Sequence, residues 1–207
     1  MKRICLIVAS LIVLLSSTVC ADVIQDARAI ADKVTFISDD PTTFTLDDKL
    51  ILTFTAPAVM LQDRSFDLTY YSFKDSNRFT SAPSLNGVYC TIKNITDKVI
   101  IVKWSQSALT VGSFSGIPLL GGMPYTNAGN PSALPDTVLL PGQSVDKSVY
   151  VSRVEFNDGW WIIGEPIPKA GGLKCTLALQ IVDSEGKTQY VSAQTPLIGV
   201  TQPNKVL

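Results

Sequence analysis

The amino-acid sequence predicts an all-β protein built as an antiparallel β-sandwich. Apolar and polar residues alternate with a period of two in several short segments, which is typical of strands with one buried face. Turn-forming residues separate these segments, and repeated short strands of this kind favour an antiparallel sheet over a βαβ arrangement. The predicted strands cover residues 50–55, 66–73, 87–94, 98–104, 144–152, 159–164, 173–182 and 187–194.

The first clear pair of strands lies in residues 87–104. Residues 87–94 alternate, residues 95–97 (Ile-Thr-Asp) supply a turn, and an apolar run returns at residues 98–104. Two alternating segments around a short polar turn have the signature of a β-hairpin. Trp104 falls on the apolar side of the second segment, so we expect it to be buried.

The second half of the chain contains the most regular alternation. A strand over residues 144–152 follows the turn dipeptide Pro141-Gly142. Residues 183–186 (Asp-Ser-Glu-Gly) form a turn between two further strands, which predicts a closing hairpin of residues 173–182 and 187–194.

The N-terminus has the pattern of a secretory signal peptide over residues 1–21. Lys2 and Arg3 precede an apolar run over residues 4–15, and Val19-Cys20-Ala21 supplies a small-residue exit. The run is shorter than the roughly 20 residues of a membrane-spanning helix, so we expect cleavage after Ala21, export to the periplasm, envelope or medium, and no transmembrane segment in the mature chain. A lipid anchor at Cys20 is disfavoured, because Ser17 and Val19 depart from the lipoprotein pattern.

The mature chain divides into a lead-in segment, residues 22–48, and a β-sandwich domain, residues 49–207. Apolar residues at helical spacing in residues 22–33 are compatible with a short N-terminal helix or with a flexible lead-in. Removing residues 1–21 leaves a net charge of −3, because the 17 basic residues lose Lys2 and Arg3 while all 18 acidic residues remain. Such a balance argues against nucleic-acid binding, which needs a clustered basic face.

Two cysteines remain in the body of the chain. Cys90 and Cys175 both lie on the apolar side of their own alternation. In an exported protein such a pair favours a disulfide bridge between two buried strands. The alternative is two free, buried thiols that act as small apolar side chains.

The motifs of residues 65–194 resemble a known class of domain. Asn94-Ile95-Thr96-Asp97-Lys98 precedes an apolar strand ending in Trp104, and Leu140-Pro141-Gly142-Gln143-Ser144 follows much later. This order is similar to that of the small immunoglobulin-like β-sandwich domains of uncharacterised bacterial exported proteins and lipoproteins. The resemblance implies an immunoglobulin-like sandwich in an exported or envelope protein, and it brings no catalytic residues with it.

The sequence points away from most enzyme chemistry. It contains no histidine, which removes Ser-His-Asp and Cys-His arrangements and histidine-ligated metals. It has no phosphate-binding loop and no dinucleotide fingerprint. Glu155, Asp158 and Glu165 are candidates for carboxylate chemistry, although acidic residues flanking a buried strand are the more ordinary interpretation. We therefore expect a non-enzymatic protein with no catalytic residues, cofactor or metal.

The candidate binding residues are Trp160, Trp161, Tyr125 and Met123. Adjacent positions on a strand face opposite ways, so Trp160 and Trp161 predict one core ring and one ring nearer the surface. Residues 112–135 are rich in Gly, Pro, Ser and Asn and contain no Lys, Arg or Glu. A segment of this length either folds onto the sandwich or forms a binding loop. The expected role is structural or protein-interacting, with another envelope protein as partner; the alternative is binding of a glycan or peptide.

Overall fold

The computed structural model describes residues 32–60, 84–123, 127, 130–152, 154–156, 160–162, 165–168 and 171–201. Within these residues, a short 3-10 helix covers Pro131–Ala133, Asn127 is also in 3-10 conformation, and the other named elements are β-strands. The strands are β1 (Val34–Phe36), β2 (Thr43–Leu46), β3 (Leu50–Met60), β4 (Ser84–Asn94), β5 (Ile100–Val111), β6 (Phe114–Gly116), β7 (Pro118–Leu120), β8 (Thr137–Leu139), β9 (Ser144–Val151), β10 (Val154–Phe156), β11 (Trp160–Ile162), β12 (Glu165–Pro166), β13 (Cys175–Asp183), β14 (Thr188–Gln194) and β15 (Ile198–Val200).

These strands form two main sheets in which every pairing is antiparallel. The six-stranded sheet has the order β2-β3-β4-β9-β7, with β12 also paired to β4. The five-stranded sheet has the order β14-β13-β5-β6, with β8 also paired to β5. Two small ribbons pair β1 with β15 and β10 with β11. The prediction of an all-β, antiparallel fold is confirmed.

A single apolar core joins the two sheets into a sandwich. Buried side chains of β3, β4 and β9 form one cluster with those of β5 and β13. In β13 every second residue is buried, as expected when one face of a sheet packs on another. Trp104 is 0% exposed, which confirms its predicted burial. Its indole nitrogen donates a hydrogen bond to the hydroxyl of Thr137 at 2.9 Å.

The predicted hairpin over residues 87–104 is wrong. β4 pairs with β3 and β9 in one sheet, whereas β5 pairs with β13, β6 and β8 in the other. Residues 95–99 therefore cross from one layer to the other. Two strands that share a core have the same alternation whether they pair directly or face each other across it, so the pattern did not distinguish these arrangements.

The side chain of Asn94 holds this crossing in place. Its amide group donates to the carbonyl oxygens of Lys98 at 2.7 Å and Leu139 at 3.0 Å. Its side-chain oxygen accepts from the backbone N–H and the hydroxyl of Thr96, at 2.9 Å and 2.8 Å. Asn94 is 0% exposed, so these four bonds supply the partners that its amide would otherwise find in water.

The predicted C-terminal hairpin is confirmed. β13 and β14 pair in one uninterrupted register, from Thr176 opposite Gln194 to Val182 opposite Thr188. The carboxylate of Asp183 closes the turn by accepting the backbone N–H groups of Lys187 and Glu185, both at 3.0 Å. The bond from Lys187 is the main cause of a pKa of Asp183 below its usual range.

The N-terminal part of the described chain belongs to the sandwich. β1 pairs with β15, and β2 adds an edge strand to the six-stranded sheet. The segment predicted as a lead-in, residues 22–48, thus contributes two strands. The predicted signal peptide, most of the candidate N-terminal helix and the strand at residues 66–73 lie outside the described residues. No helix in the described ranges is long and apolar enough to cross a membrane.

The predicted disulfide is absent, because Cys90 and Cys175 are both free, buried thiols. Cys90 lies within β4 opposite Phe54 and Lys147, whereas Cys175 is the first residue of β13, opposite Val111 in the other sheet. Alternation predicted correctly that both side chains point inward. It does not set their positions along two separate strands, and a bridge needs Cα atoms within about 7 Å of each other.

Burial raises the pKa of each thiol from 9.0 to about 12. Because the pKa is higher in the folded state than in the unfolded state, the folded protein retains the thiol proton more tightly. The stabilising contribution is therefore complete below pH 9 and is lost as the pH rises toward 12.

We expect Cys90 and Cys175 to resist alkylation in the native protein. At pH 8, a pKa of about 12 leaves roughly a thousandfold less thiolate than a pKa of 9.0. Iodoacetamide should label both sites only in denaturant, without added reductant, as measured by peptide mass spectrometry. Ser184→Cys, on the exposed turn before β14, should react rapidly and serves as the control. Recovery of a peptide containing Cys90 linked to Cys175 would contradict the free-thiol state.

Candidate functional site

The outer face of the six-stranded sheet carries tyrosine, hydroxyl and carboxylate groups at its centre. Inward residues of β4 fill the core, which leaves Tyr89 and Thr91 on the opposite face. The register with β9 places Thr91 opposite Asp146 and Tyr89 opposite Ser148. Two strands that are distant in sequence thereby bring four polar side chains to one face.

A β-bulge in β3 borders this group. The register between β3 and β4 shifts between Phe54 and Ala56, so Thr55 is an extra residue without a direct partner. A bulge of this kind bends and twists its strand locally. An open depression of about 410 Å³ lies beside it, which we call the hydroxyl depression; it is lined by Thr55, Tyr89, Cys90, Thr91, Asp146, Lys147 and Ser148.

The hydroxyl depression presents both hydrogen-bond donors and acceptors. The hydroxyl of Thr91 donates to Oδ1 of Asp146 at 2.6 Å, which orients the carboxylate. Within the described residues, Oδ2 of Asp146 and the hydroxyls of Thr55 and Ser148 have no hydrogen-bond partner. Each of these groups is therefore available to a ligand.

Tyr89 and Tyr150 form the aromatic part of the site. Their ring centroids are 6.4 Å apart and the rings meet edge to face at 85°. The hydrogen bond with Tyr150, together with partial burial, raises the pKa of Tyr89 above its usual value. Tyr150 lies opposite Gly87, which has no side chain to compete for the space. Tyr89 is 39% exposed, so part of its ring remains accessible from solvent.

This arrangement suits binding of a neutral, polyhydroxylated molecule. An exposed aromatic ring offers an apolar surface with a polar end, and the adjoining carboxylate is a strong hydrogen-bond acceptor. The volume of about 410 Å³ falls within the range of roughly 300–1,000 Å³ typical of small-molecule sites. In the described ranges, no group of three or more Cys, Asp or Glu side chains is placed to hold a metal ion.

The structure describes only part of the binding site predicted from the sequence. Trp160 and Trp161 lie on β11, with backbone partners Phe156 and Glu155 on β10; their side chains and all of Tyr125 lie outside the described residues. Met123 is half-buried and packs against the hydrophobic core.

Part of the predicted loop over residues 112–135 folds onto the sandwich. β6 continues the five-stranded sheet beside β5, and β7 then crosses to the six-stranded sheet beside β9. Leu119 and Leu120 of β7 are buried. This part of the segment therefore contributes strands to the sandwich and is not a free loop.

The sequence pattern alone does not reveal the hydroxyl depression. The outward positions of β4 carried a partial signal, because Tyr89 and Thr91 alternate with buried residues and are both polar. The partner strand was not visible, since Asp146 is 55 residues away from Thr91. A pairing at such a distance depends on the tertiary fold.

Comparisons with known proteins found no relative. No protein-family model, no curated protein and no solved structure matches the chain.

Proposed function

We propose that the protein is an exported, non-enzymatic β-sandwich protein of the cell envelope or extracellular space that acts by binding. Export rests on the signal-peptide pattern of residues 1–21. Of the binding roles predicted from the sequence, the geometry best supports recognition of a carbohydrate. The proposed site is the hydroxyl depression, in place of the tryptophan pair and the segment over residues 112–135.

The hydroxyl depression is the observation that carries this proposal. A carbohydrate presents hydroxyl groups that both donate and accept, together with apolar ring faces. Oδ2 of Asp146 is available to accept from sugar hydroxyls, the hydroxyl of Ser148 can donate or accept, and Tyr89 offers a partly exposed ring. The lining contains one carboxylate, Asp146, and one ammonium group, Lys147, so its formal charges balance and a neutral glycan is the better match.

The chemistry of the described residues supports binding over catalysis. The two buried thiols have pKa values of about 12, far above those of nucleophilic cysteines. Glu165, one of the three carboxylates considered as catalytic candidates, accepts a hydrogen bond from Ser113 at 3.1 Å. The side chains of the other two, Glu155 and Asp158, lie outside the described residues.

Removing the carboxylate of Asp146 or the ring of Tyr89 should weaken carbohydrate binding. We expect the protein to bind members of a panel of neutral oligosaccharides immobilised as a glycan array. Asp146→Asn should reduce affinity about tenfold or more, because a hydrogen bond to a charged acceptor contributes about 1.5–3 kcal/mol. Tyr89→Ala should reduce affinity about tenfold, because it removes the partly exposed ring that would contact a sugar face. Isothermal titration with the best array ligand measures these changes. Tyr89→Phe should retain the aromatic contact and lose less affinity than Tyr89→Ala.

Asp136→Asn provides a matched control for Asp146→Asn. Asp136 is paired with Lys103 on the five-stranded sheet, on a different face of the sandwich. The control should leave affinity unchanged and exclude a general effect of charge removal. Binding that survives Asp146→Asn and Tyr89→Ala, or a complete lack of binding across the panel, would contradict the carbohydrate proposal.

The second candidate function is the structural or protein-interaction role predicted from the sequence. The edge of β14 favours it, because this edge is long, uncharged and unpaired within the described residues.

A further inference from the structure

β14 is the longest strand at an edge of the two main sheets. The other short strands with an unpaired edge, β2, β6, β7, β8 and β12, have only two to four residues each. β14 has seven residues in a register without a bulge, and its sequence, Thr-Gln-Tyr-Val-Ser-Ala-Gln, contains no charged residue and no proline. Proteins commonly protect their edges with short strands, charges, prolines or bulges. β14 has none of these protections.

The hydrogen bonds at the two ends of the hairpin show which groups of β14 face outward. The N–H of Asp183 donates to the carbonyl of Lys187, and the N–H of Thr195 donates to the carbonyl of Cys175. The odd-numbered residues between these points therefore direct their backbone groups toward β13, because alternate residues of a strand bond to opposite sides. The even-numbered residues, Thr188, Tyr190, Ser192 and Gln194, direct theirs to the open edge.

The side chains of these four residues leave the edge accessible. Tyr190 accepts a hydrogen bond from Gln180 of β13 at 2.6 Å, and Gln194 donates to Thr176 of β13 at 3.2 Å. Both contacts draw side chains back over the sheet. The outward backbone groups make no hydrogen bond with any other described residue.

We propose that β14 pairs with β14 of a second copy of this chain, so that two five-stranded sheets become continuous across a two-fold axis. An antiparallel register centred on Val191 sets Tyr190 opposite the partner's Ser192, and Thr188 opposite the partner's Gln194. All four outward-directed residues then meet outward-directed residues, which forms about eight inter-chain hydrogen bonds, two for each of four pairs. No like charges face each other, since the strand is neutral.

A second copy fits this edge better than an unrelated peptide. A bound peptide gains specificity from side-chain pockets beside the edge, whereas the outward residues here are three polar side chains, Thr188, Ser192 and Gln194, and Tyr190, whose hydroxyl is bonded to Gln180. In the two-fold register, the outward N–H and C=O groups of each β14 bond to the same groups of the other copy. Both copies therefore use the same surface, as an isologous interface requires. This inference names a partner for the protein-interaction role and does not depend on carbohydrate binding.

Substitution at Ser192 tests the pairing. We expect sedimentation velocity to show a concentration-dependent dimer for the wild-type protein. Ser192→Pro removes an N–H that points outward, which the monomer should tolerate, and should raise the dimer dissociation constant at least about tenfold. Ser192→Lys, which keeps the backbone, should do the same by placing a charge on the edge. Circular dichroism and thermal unfolding confirm that each variant is folded.

Ala193→Pro is the matched control, because its N–H points toward β13, and it should destabilise the monomer itself. Hydrogen exchange at two protein concentrations reports the register directly, because the amides of Tyr190 and Ser192 should be protected only in the dimer. A wild-type protein that stays monomeric up to about 1 mM would overturn the proposal. So would a dimer that persists in both folded Ser192 variants. Both results leave glycan binding unaffected, so the two proposals fail separately.

Discussion

Asn94→Ala is expected to lower the free energy of unfolding by about 3–5 kcal/mol. The substitution removes four side-chain hydrogen bonds at a residue that is 0% exposed. It leaves the carbonyl of Leu139 and the N–H and hydroxyl of Thr96, which lie in or beside the core, without their hydrogen bonds to Asn94. An unsatisfied buried group costs about 1–3 kcal/mol, so the losses add to a large effect. Urea unfolding followed by circular dichroism measures it.

Asp97→Ala is the control for this prediction. Asp97 lies in the same crossing segment but is exposed, so its replacement should change stability by no more than about 0.5 kcal/mol. Similar small changes for both variants would show that Asn94 does not hold the crossing between the two sheets.

Trp104→Ala should cost about 3–5 kcal/mol, because it leaves a large cavity in the middle of the sandwich. Trp104 is the largest of the fully buried side chains in the described core and lies on β5, at the centre of the five-stranded sheet. Trp104→Phe retains most of the apolar contact and removes the indole N–H, so we expect a smaller loss of about 1–2 kcal/mol. Chemical denaturation of both variants under identical conditions provides the comparison.

Thr137→Val separates packing from hydrogen bonding at this position. The hydroxyl of Thr137 accepts the indole hydrogen bond at 2.9 Å. In a double-mutant cycle, Trp104→Phe and Thr137→Val should be less than additive, because each removes the same bond. Strict additivity, or a nearly neutral Trp104→Ala, would show that the indole does not contribute as the geometry indicates.

Local patterns predicted the longer strands, β3, β4, β5, β9, β13 and β14, and the turn that joins β13 to β14. The hairpin of β13 and β14 was predicted correctly, because its four-residue turn and both alternating segments are adjacent in sequence. The same reasoning failed for β4 and β5, which are just as close in sequence but belong to different sheets. Asn94 stabilises the crossing between the sheets through partners that include Leu139, 45 residues away, which no local pattern reveals.

The sequence does not predict the candidate site, because the site also depends on which distant strands become neighbours. The hydroxyl depression needs β3, β4 and β9 side by side, with a bulge at Thr55. Alternation specifies which residues face outward, but not which outward residues of distant strands become neighbours. In the sequence the tryptophan pair is the conspicuous aromatic feature, whereas Tyr89 and Tyr150 become neighbours only in the folded protein.

The sequence by itself determined the fold class and the inward direction of Trp104, Cys90 and Cys175, because a period of two assigns each side chain to one face of its strand. The tertiary structure alone decided the sheet to which each strand belongs, the separation of the two thiols, the position of Asp146 beside Thr91 and the open edge of β14. These features depend on register and strand order, which arise from contacts between residues far apart in the chain.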